Sequence, residues 1–181
     1  AISQFYDHPA FIAAYAEKIR AYKPGQYDHI VFSYHGLPNR HVDKVHPGTD
    51  STSCPCHENF RPGHGFCYKN TAYQTTRLLQ QAVGIPTEKI TVSFQSRLSD
   101  KWLQPFTDEV LVALARQGKK RVLVVSPAFV ADCLETVVEI AYENAALFRK
   151  NGGQELQLVE SLNADGHWAK ALAQIIRETR P

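Results

Sequence analysis

The sequence predicts a three-layer α/β domain, with about four parallel strands in one sheet and helices on both faces. Three observations carry this expectation. Short runs rich in β-branched and aromatic residues alternate with helical patterns along the chain. The runs are apolar without a polar alternation, as expected of strands covered on both faces. At 181 residues with 44% hydrophobic and 21% charged side chains, the chain is large and apolar enough for one core.

The elements follow in order. Residues 8–22 place Phe11, Ile12, Tyr15 and Ile19 at helical spacing, and Pro24-Gly25 stops them. The run HIVFSY at 29–34 is the first strand. Residues 68–83 are helical and end at Gly84, with Pro86 just beyond. Strand KITVSF follows at 89–94, then a helix over 108–117 ending at Gly118, then strand RVLVVS at 121–126. A long helix over 133–151 closes at Gly152-Gly153, a fourth strand occupies 156–162, and the last helix covers 165–179. Only 36–66 breaks the rhythm, and a loop of that length in a compact domain is usually functional.

The bulk numbers exclude some partners. A net charge of +2 with scattered Lys and Arg argues against nucleic acid, which needs concentrated basic charge. No apolar run is long enough to span a bilayer, and no secretory signal opens the chain. The chain contains no methionine, which suggests a piece of a longer protein.

Right-handed crossovers bring the strand C-terminal ends to one edge, where ligands bind in such folds. The first strand delivers His35 there, before a Gly-Leu-Pro turn. The second runs into Gln95, Ser96, Arg97 and, further on, Trp102. The third leads through Asp132 and Cys133 into a helix whose Glu135, Glu139 and Glu143 recur at i, i+4 and i+8 on one face. Such a stripe usually faces solvent, but that reading expects basic partners between the glutamates, and none occurs before Arg149. Crowded carboxylates repel, which suits them to bind a cation or pass protons. A strand-tip imidazole can accept a proton or ligate a borderline metal.

A second cluster lies in the long loop. Residues 54–67, CPCHENFRPGHGFC, hold Cys54, Cys56 and Cys67 with His57 and His64. This spacing supplies enough ligands for a tetrahedral zinc ion, although it is not a common finger spacing. Thiolate ligands fit a reducing cytosol better than disulfides in a core of this size.

Several stretches resemble the ferrochelatase family: SYHGLP at 33–38, FQSRLSDKWLQPFTDE at 94–109, AFVADCLETVVEI at 128–140 and ESLN at 160–163, together with the opening FYDHPAFIAAYAEKIR. The likeness covers nearly the whole chain but corresponds to the C-terminal half of the family. It implies a Rossmann-like, chelatase-type domain over 1–181, with an inserted Cys/His-rich loop at about 38–66. It implies insertion of Fe(II) into protoporphyrin IX to form protohaem in the cytoplasm, compatible with peripheral membrane contact. The porphyrin cleft would be completed by an N-terminal domain, without which this domain would have little activity. His35 and Glu135 become the facing catalytic pair, and Asp132, Glu139 and Glu143 become a metal or proton track on a partly π-wound helix. Gln95, Ser96, Arg97 and Trp102 become substrate-facing, with Arg97 paired to a propionate and Trp102 stacked on the macrocycle. Cys133 departs from the family, some members of which carry a histidine there. Some members hold a [2Fe–2S] cluster, which on that analogy would take Cys54, Cys56 and Cys67 here. Its fourth ligand would be Cys133, His57, His64 or a cysteine of the other half, with zinc as the alternative occupant. Two other readings remain: a single-domain homodimeric sirohydrochlorin chelatase inserting cobalt or iron, and a non-enzymatic iron–sulfur or zinc module.

Overall fold

A computed structural model of the chain describes residues 2–45 and 49–179. The expected inserted loop at 38–66 therefore includes three residues, 46–48, that lie outside the described set. Four strands form one parallel sheet: β1 (His29–His35), β2 (Ile90–Gln95), β3 (Arg121–Val125) and β4 (Glu155–Leu158). Their spatial order is β2-β1-β3-β4, with Ile30 opposite Ile90 and Leu123, and Val122 opposite Leu156. The chain thus steps one way from β1 to β2 and the other way to β3 and β4. The crevice between the tips of β1 and β3 is the topological switch point, the place where such sheets bind ligands.

Both faces of the sheet are covered, which is why its strands carry no polar alternation. Ile30, Phe32, Leu123 and Val125 point into a core shared with α1 (Pro9–Ala21), α3 (Tyr68–Val83) and α6 (Gly166–Glu178). A five-residue helix, α2 (Asn39–Asp43), precedes α3 in the long loop. On the other face Val31, Val122 and Val124 pack with Leu111 and Leu114 of α4 (Thr107–Arg116) and Phe148 of α5 (Ala145–Lys150). Each large apolar side chain buried in this way contributes about 1.5–3 kcal/mol.

Two elements differ from what the sequence pattern alone expects, the second in the direction the family resemblance implies. The fourth strand ends at Leu158, not near 162, because the chain is drawn back across the sheet edge: Ser161 N–H donates to Asp132 Oδ1 and Asn163 N–H to the Val130 carbonyl. The expected long helix over 133–151 is a π-helix from Glu135 to Asn144 that runs into α5. Longer i→i+5 turns of this kind are rare and concentrate at functional sites.

Candidate active site

His35 ends β1 at the switch point, half-buried. Its Nδ1 lies 2.7 Å from the Gly36 carbonyl oxygen. A carbonyl only accepts, so Nδ1 carries a proton, and in the neutral form of the ring Nε2 is the atom with a lone pair for a proton or metal. The ring also lies against Phe129, with centroids 6.0 Å apart. Gly36 is needed next to it: a Cβ there would fall 2.8 Å from the Gln95 carbonyl oxygen and 3.3 Å from the Trp102 ring.

Opposite stands the first turn of the π-helix. The Glu135 carboxyl is held below the usual carboxylate range, first by its own backbone amide, then by the Cys133 thiol and by the charge of His35, against slight desolvation. Gln95, the ladder partner of His35, donates to the Glu135 carbonyl, so the tip of β1 and the first helical turn adjoin. One turn on, Glu139 accepts from Ser96 N–H at 2.7 Å, Ser96 Oγ at 2.5 Å and Gln95 Nε2 at 3.4 Å. Gln95 Nε2 also donates to the Glu135 carbonyl at 2.6 Å, while its Oε1 accepts from Ser33 Oγ at 2.8 Å. Ser33 and Ser93 both meet Thr107 Oγ1, so a buried polar chain links β1, β2 and α4 beneath the glutamates. Sequence reading did not anticipate this chain; small hydroxyls on successive strands were its only trace. Glu143 is exposed at the far end of the stripe.

Asp132 acts as a tie at the head of this helix. Its carboxylate accepts from Asn163 Nδ2 at 2.7 Å, Ser161 N–H at 3.2 Å and Thr136 Oγ1 at 3.2 Å. Burial raises its pKa, but the hydrogen bonds from Asn163, Ser161 and Thr136 outweigh that and hold it low.

The residues after β2 are held by contacts within the chain. Gln95 and Ser96 are spent on the glutamate helix, and Ser96 adopts a left-handed φ of 61° to do so. Arg97 turns toward α4. Its guanidinium already bonds Asp108 and Glu109, each at 2.9 Å, and stacks 3.9 Å from the Phe106 ring centroid, because α4 offers two carboxylates in its first turn. Trp102 is half-buried beside Pro38 and lines a surface groove with Leu98. Near the same edge a cavity of about 220 Å³ is lined by aromatic residues that include Phe5, Tyr6, Tyr34 and Tyr68, with Ala128 and Val130 of the turn after β3. These aromatics were not singled out from the sequence, where they are scattered over sixty residues. Large apolar side chains stand exposed around the glutamate stripe, including Leu134, Val137 and Tyr142, together with Leu98.

The loop cysteines form a separate nest. The Sγ atoms of Cys54, Cys56 and Cys67 all lie within 4.8 Å of one another and are buried. Cys133 is not among them. It stays at the head of the π-helix, where its N–H donates to Thr136 Oγ1 at 2.9 Å, because the loop folds down onto α3 instead of over the strand edge. Cys67 is the N-cap of α3, its sulfur accepting from Asn70 N–H. His64 Nδ1 lies 3.4 Å from Cys56 Sγ, whereas His57 Nδ1 donates to the Cys54 carbonyl at 3.2 Å. Burial and the adjoining thiols push the Cys56 pKa up strongly.

By fold and site this is a Rossmann-like domain that presents an imidazole and carboxylates at the switch point of its sheet. The chain belongs to the ferrochelatase family, whose profile, described as Ferrochelatase, matches residues 1–180. A ferrochelatase of Pseudomonas putida is 42% identical over 180 residues, covering 96% of this chain and 53% of its own length. One from Pseudomonas fluorescens biotype C is 43% identical over 174 residues, covering 94% of this chain and 51% of its own. One from Pseudomonas savastanoi pv. phaseolicola is 42% identical over 178 residues. The chain spans about half the length of the curated relatives it matches. No described helix is long and apolar enough to cross a membrane.

Proposed function

We propose that the chain is the metal-handling, C-terminal half of an enzyme of haem biosynthesis that inserts Fe(II) into protoporphyrin IX. The observation that carries this reading is that Gln95 links the His35 strand tip to the Glu135 turn of the π-helix at the switch point, within a chain of this family. Metalation releases two pyrrole protons and needs Fe²⁺ stripped of water. His35, with Nδ1–H bonded to Gly36, offers Nε2 as acceptor for a pyrrole proton. Glu135, kept ionised, presents a hard oxygen ligand to incoming Fe²⁺ and stabilises the imidazolium formed opposite. Glu139 and Glu143 extend the acidic track outward for ions and protons, and Asp132 fixes its inner end. The exposed apolar side chains around the stripe, with Trp102, offer a wall for a flat macrocycle. Residues 1–181 form one domain, and the opposite wall comes from the other half, in line with relatives about twice as long. The cysteine nest holds a resident metal–thiolate centre, distinct from the iron being transferred; a [2Fe–2S] cluster and zinc are its two candidate occupants.

The test is anaerobic haem formation by the full-length enzyme, followed by loss of porphyrin fluorescence. His35→Ala and Glu135→Gln should each lower turnover about 10²–10⁴-fold. Wild-type haem formation by both variants would sink the reading. Metalation of sirohydrochlorin in place of protoporphyrin, by a homodimer of this domain, would replace it with the single-domain alternative.

A further inference from the structure

We infer that the cysteine nest binds a single tetrahedral metal ion of the zinc class, held by Cys54, Cys56, Cys67 and His64. The inference deepens the resident-metal reading above and does not depend on the metalation chemistry at His35.

Geometry selects the nuclearity. Sulfurs sharing one zinc at Zn–S about 2.3 Å stand about 3.8 Å apart in a tetrahedron. All three Sγ atoms here lie within 4.8 Å of one another, so one ion fits between them with small side-chain adjustment. In a [2Fe–2S] cluster three of the four thiolates necessarily straddle both irons, which spreads at least two pairs wider than sulfurs on one ion. The nest is too compact for that without reopening the loop.

Among the described residues, position selects the fourth ligand. A nitrogen and a sulfur on one zinc ion are about 3.5 Å apart, and His64 Nδ1 lies 3.4 Å from Cys56 Sγ. His64 borders the trio at Cys56, and a turn of its half-buried ring closes the shell. His57 is turned to the Cys54 carbonyl and toward Glu58, and Cys133 belongs to the π-helix.

The surroundings supply the charge that an anionic centre requires. Three thiolates and a divalent ion leave one negative charge. Lys69, a buried lysine, donates from Nζ to the carbonyls of Ser51 and Cys54, on the same loop as the sulfurs. Arg77 donates to the His57 carbonyl at 3.1 Å and to that of Cys56 at 3.5 Å. Among the described residues no carboxylate pairs with Lys69, and beside a metal–thiolate centre its charge is neutralised. The site would staple the long loop to the start of α3, as structural zinc does in segments with little core of their own.

Cobalt(II) titration of the chelator-stripped, reduced chain tests this. One equivalent should produce the intense visible ligand-field bands and sulfur-to-cobalt charge transfer of a tetrahedral thiolate site, and zinc should bleach them. His64→Ala, with circular dichroism unchanged, should shift the bands and weaken binding by at least about 10-fold. His57→Ala and Cys133→Ser should titrate like wild type. Anaerobic reconstitution yielding two irons and two sulfides per chain would overturn the proposal. So would the absence of tetrahedral cobalt bands, or a His64→Ala variant that titrates unchanged. His35→Ala should leave the cobalt spectrum intact, so this test and the haem assay fail separately.

Discussion

Ser96 bears more of the site than its position after a strand suggests. It gives Glu139 a backbone and a hydroxyl donor while sitting at φ 61°, where a side chain costs about 1–2 kcal/mol. Two substitutions separate these effects. Ser96→Ala loses the hydroxyl but keeps the strain, so it should destabilise by about 1.5–3 kcal/mol, the worth of a hydrogen bond to a charged group. Ser96→Gly loses the hydroxyl but relieves the strain, so its urea midpoint should fall less than that of Ser96→Ala. The reverse order would mean that the strain is not real. Sequence alone exposed His35 and the glutamate stripe, since a strand-tip imidazole and three carboxylates without basic partners are local signals. It could not reveal that Arg97 is engaged elsewhere. That depends on α4 bringing Asp108 and Glu109 within 2.9 Å, a tertiary fact. The fourth ligand was left open for a related reason: the three nest sulfurs are joined by the fold of one loop, and Cys133, far along the chain, carried no sign of whether it would meet them.

At the scale of elements, β1 and β2 stay in contact just beyond the last ladder pair, His35 with Gln95. Gly36 N–H donates to the Gln95 carbonyl at 2.8 Å, and a methyl group on Gly36 would sit at 2.8 Å from that same oxygen. Backbone cannot swing aside as a long side chain can. Gly36→Ala should therefore cost about 1–3 kcal/mol by overpacking. It should also lower metalation by the full-length enzyme, because the carbonyl that sets the His35 tautomer belongs to the displaced residue. Thermal unfolding and haem formation check the two effects; an unchanged melting temperature would refute the steric argument. The strands and most helices were legible because their signals are short-range: apolar runs, and glycines at +79° and +86° just after α3 and α4. The early end of β4 was not, because it is imposed by Asp132 and Val130 from across the sheet edge. The π-winding of Glu135–Asn144 left no trace in periodicity and was anticipated only through the family resemblance.

For the whole molecule, Asp132 fastens three segments of the chain beside the switch point. It joins the turn after β3 to the 160–163 segment beyond β4 through Ser161 and Asn163, and to the π-helix through Thr136. Its pKa in the fold lies below the ordinary value, as does that of Asp28, whose carboxylate accepts from the Arg121 and Lys120 amides at the opposite edge of the sheet. The sign follows from linkage: a carboxylate with a depressed folded pKa stabilises the fold fully above its unfolded value. That contribution is lost as pH falls through the folded value. The share of stability from these two aspartates should therefore be level near neutrality and decline once pH drops below about 4, the unfolded aspartate range. Asp132→Asn keeps the shape and removes the charge, so it should lower stability at neutral pH and flatten the acid decline. The two urea-midpoint curves should converge at the lowest pH, where both side chains are neutral. Parallel curves would show that the Asp132 ties hold the strand tips together without any dependence on ionisation.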